Sequence, residues 1–214
     1  MTVKTEGQHA GEFLVSEANG TRSRAAITVL SGENLKAGHV VGEVVTGTAS
    51  SAADGGNTGD GAMGTVTVGA GAQVGDYVLT ITEAATDAGD FQVVDTEGDV
   101  VGVGTVAVAF AGGGLSFTLA DGGTDFAVGD TITITVAAGS GKYVEWDVAN
   151  ADGSEIAAGI LFDNVDATSA DKAGVLIARD AEVNASELQY FTGATSGNKT
   201  TAAGQLAALG IIVR

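Results

Sequence analysis

No lysine or arginine occurs between Lys36 and Lys142. From Ala37 to Gly141, 105 consecutive residues carry thirteen acidic side chains and no basic one, whereas the remaining 109 hold nine basic and fourteen acidic residues. The two parts therefore contribute −13 and −5 to the formal charge of −18. Nine basic residues placed at random would miss such a window about two times in a thousand. The boundary marks a change of domain rather than chance.

Inside the window the pattern is strand, turn, strand. The runs TVTVG (65–69), DYVLTIT (76–82), FQVVD (91–95), GTVAVAF (104–110), LSFTL (115–119) and DTITITV (130–136) are short and β-rich, with Gly and Asp between them. In the last, Ile132, Ile134 and Val136 alternate with Thr131, Thr133 and Thr135, as a half-buried antiparallel strand requires. The spacing predicts a small immunoglobulin-like β-sandwich over residues 47–140. The stretch TASSAADGGNTGDGAMG (48–64) has Met63 as its one large apolar side chain and reads as the outgoing connection, with AAGSG (137–141) as the return. Thr46 and Lys142 should then lie near each other.

Composition narrows the chemistry. The chain has 34 Gly, no Pro and no Cys, so turns rest on Gly, Asn, Asp and Ser, and disulfides, thiolate metal sites and cysteine nucleophiles are excluded. A small or apolar residue, Gly and a polar residue precede an alternating run three times, in KAGHVVGEVV (36–45), QVGDYVLTIT (73–82) and AVGDTITITV (127–136). This pattern reads as a glycine turn feeding a strand. The two histidines, His9 and His39, sit in no ligand-spaced motif. The acidic balance argues against nucleic acid as a partner. MTVKTEGQHAGEF has no apolar targeting core and no run of 18 apolar residues occurs, so the reading expects no membrane and synthesis in the cytoplasm.

Motif matches mostly dissolve on inspection. GDGAMG (59–64) lacks the strand before it and the helix after it that dinucleotide binding needs, and AGSGKY (138–143) has neither the first glycine nor the Ser/Thr of a P-loop. The acidic loops DGGNTGDG (54–61) and DTEGD (95–99) do not fit the spaced calcium-loop pattern and read as solvated turns. Asp163, Asp166 and Asp171 read as turn and surface residues, and the N-x-[ST] matches at Asn19, Asn184 and Asn198 as chance. No catalytic residue, cofactor site or metal site is expected, so the chain is read as a non-enzyme. ASELQYF (185–191) and TAAGQLAALG (201–210) are the helix candidates; Leu206 and Leu209 share a face that serves either the core or an interface between copies. Tyr143 and Trp146 are read in the same two ways.

Spliced from about residue 46 to about residue 141, the outer segments leave roughly 120 residues, the size of one domain. The spliced chain resembles the lambda-type bacteriophage head decoration protein family. The resemblance rests on HAGEFLVSEANGTRSR (9–24), NLKAGHVVGEV (34–44), GKYV (141–144), GSEIAAGILFDNVDATSAD (153–171), ARDAEVNASELQY (178–190) and LAALGIIVR (206–214). The insert resembles β-rich modules of phage structural proteins.

This resemblance implies a mainly β, β-clip or β-tulip-like decoration domain with one or two short helices, formed by residues 15–46 and 141–214. It also implies a homotrimer on three-fold and quasi-three-fold sites of the expanded shell, at the outer surface of the virion, clamping major capsid proteins. Residues 1–14 would be an arm that adds a strand to the capsid protein, with Thr2, Val3, Lys4, Thr5, Glu6, Gly7, Gln8 and His9 as the contacting segment. The alternative reading makes the insert a surface-displayed adhesin or glycan-binding module that meets host-surface glycans.

Overall fold

The structure, a computed structural model, describes residues 6–214, and among these the chain is mainly β, with 44% strand and two α-helices. It divides into two compact units: residues up to Val44 with Gly141–Arg214, and Val45–Ser140.

The first unit begins with β1 (Leu14–Glu17), the single helical turn α1 (Gly20–Ser23), β2 (Arg24–Val29), β3 (Asn34–Leu35) and β4 (Val40–Glu43). The chain then builds the second unit from β5 (Thr46–Ala53), β6 (Thr67–Val68), β7 (Gly75–Ala85), β8 (Ala88–Val94), β9 (Val100–Thr105), β10 (Ala109–Gly112), β11 (Leu115–Thr118) and β12 (Thr131–Ala138). It completes the first with β13 (Tyr143–Glu145), β14 (Ala157–Leu161), β15 (Val165–Asp166), β16 (Lys172–Ile177), β17 (Ala181–Val183), α2 (Ser196–Ala208) and β18 (Ile211–Val213).

In the first unit β13, β2, β16, β14 and β4 close into a barrel, accompanied by the sheet β1-β17-β18 and the β15-β3 pair. The barrel wall is apolar on both faces. Side chains alternate sides along a strand, so Val40, Ile160 and Ile177 join one cluster with Phe13, Trp146, Leu206 and Ile211. Their neighbours Val41, Leu161 and Leu176 join another with Ile27, Val29 and Val165. This explains the unbroken apolar runs HVV, GILF and VLI, which carry no period of two. Helix α2 packs on β14 and β18 and buries Ala202 and Leu206, one turn apart.

The helix starts five residues before the sequence reading expects. Thr195 and Asn198 form a reciprocal capping box, a start signal hidden in the turn-like run ATSGN. The other candidate, 185–191, shrinks to a 3-10 turn at Ala185–Glu187. The N-x-[ST] triplets have a structural role: Asn19 Oδ1 accepts from the Thr21 amide and hydroxyl at 3.1 and 2.9 Å, and Asn184 Oδ1 from those of Ser186 at 3.1 and 2.8 Å. Both are caps, and Asn198 belongs to the capping box.

In the second unit a five-stranded antiparallel sheet, β5-β12-β7-β8-β9, and a three-stranded one, β10-β11-β6, share one buried cluster. Tyr77, Leu79, Ile81, Phe91, Ile132, Ile134 and Val136 come from the larger sheet, Phe110, Leu115 and Phe117 from the smaller. The rings of Phe91, Phe110 and Phe117 sit 4.8 to 6.0 Å apart. The three glycine turns form as expected: Gly38, Gly75 and Gly129 have φ of 85°, 128° and 95°, a region closed to most side chains.

Two expectations for this unit need correction. The stretch from residue 48 is not simply connection, because Thr46–Ala53 is an eight-residue edge strand paired with β12. Its small side chains hide it: only Ala49 packs against the core, and the strand is held by main-chain bonding. Likewise GTVAVAF is two strands, since Ala107 turns the chain with φ 63° between β9 and β10. Where the chain passes between units, the Val44 N–H donates to Lys142 O at 2.9 Å in the first, and Thr46 faces Ala138 in the second.

Candidate functional site

Thr2, Val3, Lys4 and Thr5 lie outside the described residues. Glu6 and Gly7 are exposed, and the chain is fixed from Gln8 onward. The Gln8 side-chain amide donates to Glu187 O at 3.3 Å, and Asn164 Nδ2 donates to Gln8 O at 3.2 Å. Asn164 Oδ1 accepts from the Ala37 amide at 3.0 Å, so one side chain ties Gln8 to the loop before β4. His9 is exposed, with Nε2 3.0 Å from Glu6 Oε1.

Gly11 turns the chain at φ 69° and donates its N–H to Phe162 O at 2.9 Å. A Cβ there would lie 2.8 Å from the Phe162 ring, so the turn needs glycine twice over. Phe162 is held on another side by the Arg24 guanidinium, 3.9 Å from the ring centroid. Arg24 in turn pairs with Glu17, whose carboxyl is held below its ordinary value by Arg24 first and by the Ser23 hydroxyl second. Phe13, 1% exposed, then plugs the chain into the core. Residues 8–13 are thus anchored to the first unit by hydrogen bonds and by the buried Phe13 ring.

Trp146 is wholly buried, its indole N–H donating to Glu155 O at 2.8 Å and to Gln205 Oε1 at 3.0 Å. Gln205 Oε1 also accepts from the Ala157 amide at 2.9 Å, locking α2 to β14. Leu206 is buried in the same cluster and Leu209 packs partly against it. Tyr143 is half-buried on β13, its hydroxyl donating to Glu43 Oε2 at 3.3 Å. Burial, then the Glu43 charge, pushes the phenol up.

The sequence reading misses an acidic cavity of about 320 Å³ lined by Glu33, Glu145, Asp147, Asn150, Asp152 and Ser154. His39 Nε2 lies 3.3 Å from Glu145 Oε1, and the Lys36 amide donates to Nδ1 at 2.9 Å. Burial, then the charge of Glu145, pushes Glu33 up; burial, then Asp147, pushes Glu145 up; burial pushes His39 down. Pairing of β4 with β13 assembles this group, and no local motif announces it.

Among the described residues no helix is long and apolar enough to cross a membrane. Two crystal forms of Xanthomonas campestris FlgL match with a TM-score of 0.34, at 20% and 23% identity over 48% of this chain. The match covers 33% of the FlgL chains, and likeness at that level carries no argument. No curated protein matches. A family model described as bacteriophage lambda head decoration protein D matches residues 3–211. That match spans nearly the whole length, and the chain belongs to the bacteriophage lambda head decoration protein D family.

Proposed function

We propose that this phage head decoration protein cements the expanded shell as a homotrimer at three-fold and quasi-three-fold sites, with residues 2–9 adding a strand to the major capsid protein. The family places the chain on the capsid in a structural role. The observation that carries the finer reading is the base of the arm: Gly11, Phe13 and Asn164 hold it rigidly, while Glu6 and Gly7 are exposed. Strand addition works through main-chain hydrogen bonds, so a polar arm containing glycine suffices. Three arms on one trimer raise avidity without new contacts, and binding only to the assembled shell stabilises it by mass action. The insert, Val45–Ser140, is proposed to be dispensable for this clamping.

The test removes residues 1–7 and leaves the anchored base intact. Co-sedimentation with expanded capsids should fall at least tenfold while analytical ultracentrifugation still reports trimers. Shell binding equal to that of the full chain would overturn the arm's role. A monomer at every concentration tested would overturn the trimer.

A further inference from the structure

In the second unit two loops bring three carboxylates together. Asp87 sits in the tight turn between β7 and β8, and Asp121 and Asp125 in the loop between β11 and β12. One ligand oxygen from each lies within 4.8 Å of the others. The turn holds Asp87 at φ 52°, and its N–H donates to Asp125 Oδ1 at 3.1 Å.

Two facts bear on this group, in which Asp87 is exposed and Asp121 is half-buried. First, Asp121 Oδ1 exposes less than 1 Å² and has no hydrogen-bond partner, the one such side-chain atom among the described residues. A buried carboxylate oxygen without a donor is strongly disfavoured. Second, the unit has no counter-charge of its own, because Val45–Ser140 contains no Lys, Arg or His. The cation that would neutralise three converging carboxylates has to come from solution.

We propose that Asp87, Asp121 and Asp125 bind a divalent cation, of which calcium fits best. Calcium accepts oxygens at about 2.3–2.6 Å in a flexible shell, so oxygens on one ion stand about 3.4 Å apart when adjacent and about 4.8 Å apart when opposite. Magnesium demands about 2.0–2.1 Å and a near-ideal octahedron and keeps several of its waters, so three protein carboxylates suit the more tolerant calcium shell better. Bound there, the ion ties the tip of the β7–β8 hairpin to the β11–β12 loop and gives the Asp121 carboxylate a partner.

The test is calorimetric titration of CaCl₂ into the chelator-treated full chain, with the same ionic strength of NaCl as control. Saturable binding near 10⁻⁴–10⁻³ M is expected, as for calcium modules with few protein charges. Two variants should each weaken it at least tenfold: Asp121→Asn, which keeps the side chain's shape, and Asp87→Asn, which tolerates the left-handed turn. Calcium should also raise the unfolding temperature of the wild type and not that of Asp121→Asn. Absence of saturable heat up to 10 mM (roughly tenfold above the expected range), an equal response to NaCl, or undiminished binding by both folded variants would overturn the site.

Discussion

The two units handle negative charge in opposite ways. In the first, carboxylates meet cations: Arg22 pairs with Asp180, Arg24 with Glu17, Lys142 with Asp171 and Arg214 with Glu182. In the second there are no Lys, Arg or His side chains, and several carboxylates are satisfied by turn amides and hydroxyls. Asp130 accepts from the amides of Thr58, Gly59 and Ala127, Asp95 from those of Glu97 and Asp99, Asp60 from Thr124, and Asp76 from the Thr135 hydroxyl. The difference teaches that an acidic surface needs no basic partner to be structured. A carboxylate that accepts backbone N–H groups is a turn-builder, and its charge is then left over for solvent.

The largest effect should come from removing the best-supported of these. Asp130 is 6% exposed; burial pushes its carboxyl up, but the amides of Gly59, Thr58 and Ala127 outweigh burial and hold it below its ordinary value. Asp130→Ala leaves those amides unpaired, a loss of about 2–4 kcal/mol. The sole tryptophan, Trp146, belongs to the first unit, so its fluorescence follows that unit alone. Urea unfolding should therefore shift by circular dichroism and not by tryptophan emission. Equal shifts in both signals would break the contrast. Because the folded pKa is lowered, the stability Asp130 contributes is present above about pH 3.8 and is lost as pH falls through the folded value.

Gln205→Ala reverses the experiment. It strands the Ala157 amide and leaves the Trp146 indole N–H with Glu155 O as its one remaining acceptor, a loss of about 1–3 kcal/mol, which tryptophan emission should report directly. An unchanged emission midpoint would mean that the polar lock between α2 and β14 holds nothing together.

The smallest effect concerns the acidic cavity, whose carboxylates lie in the unit that holds the Lys and Arg ion pairs. Glu33 is raised above 4.5 by burial and then by Glu145, so its stabilising contribution is present at low pH and lost as pH rises through the folded value. His39 runs the other way: its lowered pKa removes stability as pH falls below 6.5. Glu33→Gln isolates the first term. Its emission midpoint at pH 7 should exceed that of the wild type by under about 1 kcal/mol, discounted for solvent screening, and the two should converge below about pH 4.5. A variant less stable at pH 7 would show that the cavity's carboxylates support one another through hydrogen bonds.

Much of this architecture was readable in the chain. Alternation along 131–136, glycine at 38, 75 and 129, and the absence of basic residues between Lys36 and Lys142 are local or additive signals, and they survive whatever the rest of the chain does. The edge strand Thr46–Ala53 was not readable, because small polar side chains have no period and the strand exists by pairing with β12. The three aspartates of the proposed cation site, at 87, 121 and 125, come from separate loops, and neither loop carries a ligand-spaced motif. The acidic cavity joins residues as far apart as Glu33 and Asp152. By itself the sequence determined the class of fold and the two-part organisation, since composition, periodicity and turn chemistry act over a few residues at a time, and the family through the likeness of its outer segments to known members. Only the tertiary structure decided which carboxylates meet, because burial and mutual repulsion depend on distances that chain separation does not encode.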